Sequence, residues 1–211
     1  MPHSHSFTAL VLKTYDVGEA DRYCVFLTKE QGRISARASG ARRPKSRLGG
    51  ALLPFRQVTV ELKEGAAGWI ICGVAHRESD ETISGVAQFM QLEEGVELLL
   101  RLVSHEGEVP EIYEATREFF DACARGERHA ALGYTFALLH HLGLMPGEEE
   151  MEDIGALSAA DQGFINQCRG GRIGSPGVGC DLGRLLAVKS FLVDGQLTSP
   201  LRTEGVMEAM L

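Results

Sequence analysis

Residues 56–64 read RQVTVELKE. Val58, Val60 and Leu62 alternate with Thr59, Glu61 and Lys63, so an extended chain puts three apolar side chains on one face and three polar ones on the other. This is the pattern of a strand with one side in a core. Similar runs lie on both sides of it: FTALVLKTYD (7–16), RYCVFLTKE (22–30), GRISARASG (32–40) and WIICGVAHR (69–77). They are rich in β-branched and aromatic residues, and the turn segments DVGEAD, KEQGR, GARRPKSRLGG and KEGAAG separate them. About five short strands in so short a stretch predict a small closed or partly closed β-barrel of the oligonucleotide-binding (OB) type.

Beyond Asp80 the period changes. In ISGVAQFMQLEEGVELLLRLVS (83–104), Val86, Phe89, Met90, Val96, Leu99, Leu100 and Val103 recur at helical spacing. Pro110 opens a second helix, PEIYEATREFFDACARG, and HAALGYTFALLHHLGLMP follows as a third, closed by Gly143 and Pro146. Ser158 reads as the N-cap of LSAADQGFINQCR, with Asp161 three residues on. In DLGRLLAVKSFLVDG, Leu182, Leu185, Leu186, Val188, Phe191 and Leu192 form one apolar side. GEEEMED (147–153) and GGRIGSPGVG (170–179) read as flexible connections. The expected fold is therefore an α+β multidomain chain, with an N-terminal OB-fold β-barrel over 1–79 and an α-helical bundle domain over 80–211.

The charge is also unevenly distributed, dividing near residue 63. The chain of 211 residues has a net charge of −8, yet residues 1–63 hold eleven Lys/Arg against five Asp/Glu, a net +6, which leaves −14 for the rest. Much of the excess lies in Arg33, Arg37, Arg42, Arg43, Lys45 and Arg47, a stretch without a single carboxylate, stiffened by Pro44 and given sharp turns by Gly40, Gly49 and Gly50. An anion is the natural partner of such a segment. Six phosphate contacts would release condensed counterions and make affinity fall about 10³-fold between 50 and 200 mM salt. Single-strand binding also needs aromatic platforms, and Tyr15, Tyr23, Phe26 and Phe55 lie close by, although aromatic residues of small barrels mostly fill the interior.

The five cysteines, Cys24, Cys72, Cys123, Cys168 and Cys180, are scattered and odd in number, which suits reduced thiols; Cys24 and Cys72 sit in apolar runs and read as core. No apolar run is long enough to span a membrane and MPHSHSFTAL lacks the features of a signal peptide, so the expected location is cytoplasmic. GGRIGSPGVG lacks the Gly-Lys-Ser/Thr ending of a P-loop, and no nucleophile or zinc-protease motif appears. The run of Glu148, Glu149, Glu150, Glu152 and Asp153 reads as a solvated linker rather than a cation site. The expectation is a binding protein, not an enzyme, with no cofactor.

The run YDVGEADRYCVFLTKEQGRISARASGARRPKSRLGGALLPF closely resembles the N-terminal segment of the RecO family, bacterial recombination mediators of DNA repair. The family pattern is met by Glu19-Ala20-Asp21-Arg22, by Thr28 with Gly32 and Arg33, by Gly40 to Arg43, and by Pro54-Phe55. The helices from Phe89 to Gly126 and the segment FLVDGQLTSPLRTEGVMEAML continue the resemblance more weakly. It implies an OB-fold domain joined to a helical one, nucleoid-associated, in the RecF pathway. Such a protein binds single- and double-stranded DNA, anneals complementary strands, and with RecR assists RecA loading on DNA coated by the single-stranded DNA-binding protein SSB. An apolar groove rimmed by basic residues in the helical domain would then take the acidic, Phe-ending C-terminal tail of SSB.

The resemblance carries a DNA-binding role onto Arg33, Arg37, Arg42, Arg43, Lys45 and Arg47, which fall within the matched stretch; Arg22 reads either as a contact or as a turn-fixing partner of Glu19 or Asp21. One departure is plain. Many members carry two C-x-x-C pairs forming a zinc module before the helix that starts here near Ser158, whereas this chain has MPGEEEMEDIGA there, and Cys168, Cys180, His140 and His141 lack the paired spacing of a zinc site, so no metal is expected. The competing reading is a non-enzymatic protein-interaction scaffold whose basic loop docks a protein.

Overall fold

The computed structural model describes residues 4–76, 83, 85–103, 107–147, 151, 154 and 157–203. Five strands, β1 (Ser4–Val17), β2 (Asp21–Thr28), β3 (Gly32–Ala38), β4 (Gln57–Gly65) and β5 (Gly68–His76), close into a barrel in the order β1-β2-β3-β5-β4. The β3–β5 pair is parallel and the other pairs are antiparallel. A short helix, α1 (Arg47–Ala51), joins β3 to β4. This is the OB-fold barrel, and among the described residues the helices that follow it are α2 (Val86–Leu102), α3 (Pro110–Ala124), α4 (Ala130–His141), α5 (Ala159–Arg169) and α6 (Leu182–Asp194). The chain divides into two compact units, residues 1–80 with 104–113, and residues 81–103 with 114–211.

Alternation fills the barrel. Val58, Val60 and Leu62 of β4 are wholly buried, and with Ala9, Val11, Cys24, Phe26, Ile34, Ala36 and Ala38 they form its core. Small alanines packed in the same core as the bulky Phe26 and Ile34 suit the narrow interior of a five-stranded barrel. The Thr28–Gly32 spacing has a local cause: Thr28 Oγ1 donates to the Gly32 carbonyl at 3.1 Å and accepts the Gln31 N–H at 3.1 Å, which closes the β2–β3 turn. Cys72, expected in the core, is exposed. The β4–β5 register shifts there, with Leu62 opposite Ile71 and Glu61 opposite Gly73, so Cys72 is the extra residue of a bulge. All five cysteines are free thiols, and burial pushes those of Cys24, Cys123 and Cys168 up to about 12.

In the helical unit α4 is central: every residue from Ala130 to Leu139 is buried, as its apolar character on all sides requires. It packs against α2, α5 and α6. The expected single apolar faces of α2 and α6 are only partly right, because Val86, Phe89, Leu186 and Phe191 are exposed while Leu92, Leu98, Leu185 and Val188 fill the core. Ser158 and Asp161 form the capping box read from the sequence: Ser158 Oγ accepts the Asp161 N–H at 3.2 Å, and Asp161 Oδ2 accepts the Ser158 N–H at 2.9 Å. Asp161, wholly buried, also accepts the Asp181 N–H at 2.8 Å, which ties the start of α6 to the start of α5.

Residues 170–179, expected to be flexible, are anchored. Ile173 is buried, and Glu127 accepts the N–H and the hydroxyl of Ser175 at 3.0 and 2.7 Å. The acidic run read as a linker lies largely outside the described residues.

Gly95 of α2 sits where a side chain has no room. A Cβ at that position would stand 2.4 Å from Phe119 Cε1 and 3.0 Å from Tyr134 Cδ1, and those two rings are stacked at 4.4 Å. Gly95→Ala is therefore expected to destabilise the helical unit by about 2 kcal/mol despite alanine's better helix propensity, because neither buried ring has room to move. Urea unfolding followed by circular dichroism measures it.

Candidate nucleic-acid interface

Two acidic residues and one arginine of the β1–β2 hairpin build the basic loop. Asp21 Oδ1 accepts the Gly40 N–H at 2.7 Å, while Oδ2 accepts from Arg37 Nε and Nη2 at 2.8 and 2.5 Å. Hydrogen bonding to Gly40 first, then to Arg37, and the charge of Arg43, hold the Asp21 carboxyl below its ordinary value. A carboxyl with a depressed folded pKa contributes its stabilisation fully above its unfolded value, and the contribution disappears as pH falls through the folded one. The Gly40 amide resonance is thus expected to titrate with a midpoint below the ordinary 3.8 of an aspartate, the turn staying closed above it; proton–nitrogen NMR across acid pH checks this.

Arg22 pairs with neither Glu19 nor Asp21. Its Nε meets Asp16 Oδ1 at 3.2 Å and its Nη1 donates to the Gly49 and Leu52 carbonyls at 3.3 Å each. Those carbonyls are at the C-terminal end of α1, where free acceptors need donors and a cation is favoured. The segment GARRPKSRLGG, expected as a turn, thus contains part of a helix. Gly49 belongs there for a steric reason, since a Cβ would come 2.3 Å from the Ala41 carbonyl oxygen. Leu52 is wholly buried and Leu48 partly so, both against the barrel core.

The six cations read from the sequence have different places. Arg33 is buried at 8% exposure, and burial pulls its guanidinium down from the ordinary range, so it offers little surface to a ligand. Arg37 is exposed but occupied by Asp21. Arg42 donates to the Gly18 carbonyl at 2.9 Å and approaches Asp16 at 3.3 Å. Arg43, Lys45 and Arg47 are exposed, and among the described residues no carboxylate lies within ion-pair distance of them. The structure therefore joins Arg37, Arg42, Arg43, Lys45 and Arg47 along one loop and its adjoining strand end, and sets Arg33 apart.

The aromatic residues separate in the same way. Phe26 and Phe55 are buried, Phe55 in a left-handed conformation (φ 65°) with its N–H donating to the Val11 carbonyl at 2.7 Å. Tyr15 and Tyr23 are exposed. Among the described residues no group of three or more His, Cys, Asp or Glu side chains is placed to hold a metal ion, and no helix is long and apolar enough to cross a membrane.

The helical unit carries its own concavity, a cavity of about 730 Å³ lined by Leu144, Met145, Pro146, Ile154, Phe191 and Leu192. Asp194 is the ionisable residue of its lining, which contains no Lys or Arg. The basic rim expected of such a groove is not among these residues.

Residues 1–68 match the family model described as "Recombination protein O N terminal". The chain is 30% identical over 178 residues to the DNA repair protein RecO of Myxococcus xanthus, a match covering 80% of this chain and 70% of that protein. It is 34% identical over 151 residues to the DNA repair protein RecO of Anaeromyxobacter sp. (strain K), covering 66% of this chain and 57% of that protein. With the protein of the same name from Nocardioides sp. it shares 49% identity over 57 residues. An OB-fold barrel with a cationic loop between its third and fourth strands, a helical unit behind it in sequence, and similarity that runs through both place this chain in the RecO family.

Proposed function

We propose that the chain acts in DNA repair as a non-enzymatic recombination mediator: it binds single- and double-stranded DNA, anneals complementary strands and, with RecR, assists RecA loading on SSB-coated DNA. The observation that carries this reading is the loop of Arg43, Lys45 and Arg47, exposed and held out on the barrel by Asp21 and Arg22. Phosphate groups are the ligands such a surface recruits, because each contact releases condensed counterions. Annealing needs two strands neutralised, brought together and released, and no covalent bond is made or broken.

The test is an annealing assay with two complementary oligonucleotides, with and without SSB, at two salt concentrations. Faster annealing that weakens at the higher salt is expected. Absence of annealing together with absence of DNA binding overturns the reading in favour of the protein-interaction scaffold.

The apolar groove beside Phe191 is the proposed seat for the terminal phenylalanine of the SSB tail; with Asp194 and no Lys or Arg in its lining it gives the acidic part of that tail no counter-charge, so weaker binding than in a basic-rimmed groove is expected. Calorimetry with that peptide is expected to show heat that Phe191→Ala abolishes; no heat, and no competition with SSB, removes this contact from the proposal.

A further inference from the structure

Tyr15 and Tyr23 are 48% and 38% exposed, and among the described residues of the barrel unit theirs are the exposed Phe, Tyr or Trp rings. They are directly opposed in the β1–β2 ladder, so both point outward from one face with Cβ atoms about 5 Å apart. Arg37 on β3 continues the row as the partner of Tyr23, its side chain 56% exposed and its guanidinium fixed by Asp21. On the other side, Lys13 places Nζ 6.0 Å from the Tyr15 ring centroid. Two adjacent rings flanked by cations form a surface, not scattered apolar exposure.

We propose that Tyr15 and Tyr23 form a base-stacking platform for single-stranded nucleic acid, and that this pair gives the barrel a preference for single strands over duplex. The inference rests on the reading that the barrel binds DNA, and it assigns a different task to different residues. Segments 13–23 and 37–47 carry seven Lys/Arg against three Asp/Glu, a net +4, so the matching occupant is a polyanion. A single strand offers that charge together with free base faces, whereas in a duplex each base face is covered by its neighbours and only phosphates remain for the loop. Tyrosine suits the task because its ring is held by two torsions and stacks on any base, giving affinity without sequence choice. Arg37, already fixed by Asp21, adds a planar guanidinium beside Tyr23 without further ordering.

The test compares the full chain with the double variants Tyr15→Leu/Tyr23→Leu and Tyr15→Phe/Tyr23→Phe. Each is titrated with a thymine oligonucleotide, an abasic oligonucleotide of equal length and charge, and a duplex. The parent is expected to bind the thymine strand about a hundredfold more tightly than the abasic one, roughly tenfold per stacked base. The leucine variant should lose that ratio while keeping the salt dependence, and the phenylalanine variant should retain it. Both positions are at the surface, so the variants fold, which circular dichroism verifies. If the leucine variant still discriminates against the abasic strand, the platform is refuted while DNA binding by the loop stands. If the parent binds none of the three, the proposed function fails with it.

Discussion

Replacing Arg42, Arg43, Lys45 and Arg47 together by alanine is expected to lower the slope of log K against log salt by about 3 for single-stranded DNA, at roughly 0.7 per phosphate contact. Counterion release contributes little near 1 M salt. The loss of affinity is therefore expected to be small there and to grow to the order of 10³-fold at 50 mM. The fold should survive, because Arg43, Lys45 and Arg47 are exposed and the anchors of the loop are Asp21 and Arg22, which stay. Among the described residues, Arg42 gives up a hydrogen bond to the Gly18 carbonyl and an ion pair with Asp16, both at the surface and worth about 1 kcal/mol at most. Anisotropy titrations at several salt concentrations read the slope. An unchanged slope removes the loop from the DNA-binding surface. Restoring Arg42 alone separates the share of a partly engaged arginine from that of its three freer neighbours.

The other large effect lies far from this surface. Lys189 of α6 and Glu94 of α2 form a buried ion pair, each less than 10% exposed, joining positions 95 residues apart in sequence. Lys189→Met leaves a carboxylate inside the helical core without its cation, and a buried charge so abandoned costs about 3–5 kcal/mol. Glu94→Leu combined with Lys189→Met removes both charges and leaves an apolar contact in their place. The double variant should therefore recover most of the loss, or exceed the parent by a kcal/mol or so. Denaturant unfolding of the parent, the single variant and the double variant forms the cycle. A single variant as stable as the parent would show that solvent reaches Glu94.

Both effects depend on features with very different visibility in the sequence. The barrel strands are legible because an extended chain turns each side chain to the opposite face, so Val58, Val60 and Leu62 announce their burial by spacing alone. The helix α4 is legible because an apolar surface on all sides suits only a helix enclosed by others, and the cap of α5 because Ser158 and Asp161 satisfy each other's backbone within one turn. The cationic loop is legible as composition.

Burial of particular residues within these patterns is not. Arg33 and Arg37 share one face of β3 by parity, yet one is 8% exposed and the other has a side chain 56% exposed. Tyr23 and Val25 share one face of β2 by parity, yet one is 38% exposed and the other 8%. The helix α1 was hidden behind two glycines that argue against it, and it forms because Arg22, some thirty residues earlier, supplies donors to its last carbonyls. The partners of Arg22, Asp21 and Lys189 follow from strand register and helix packing. Local spacing constrains which face a side chain takes and which segments are regular. What covers that face, and which distant group meets a charge there, depends on contacts between segments far apart in the chain, and these exist only once the barrel has closed and the helices have packed.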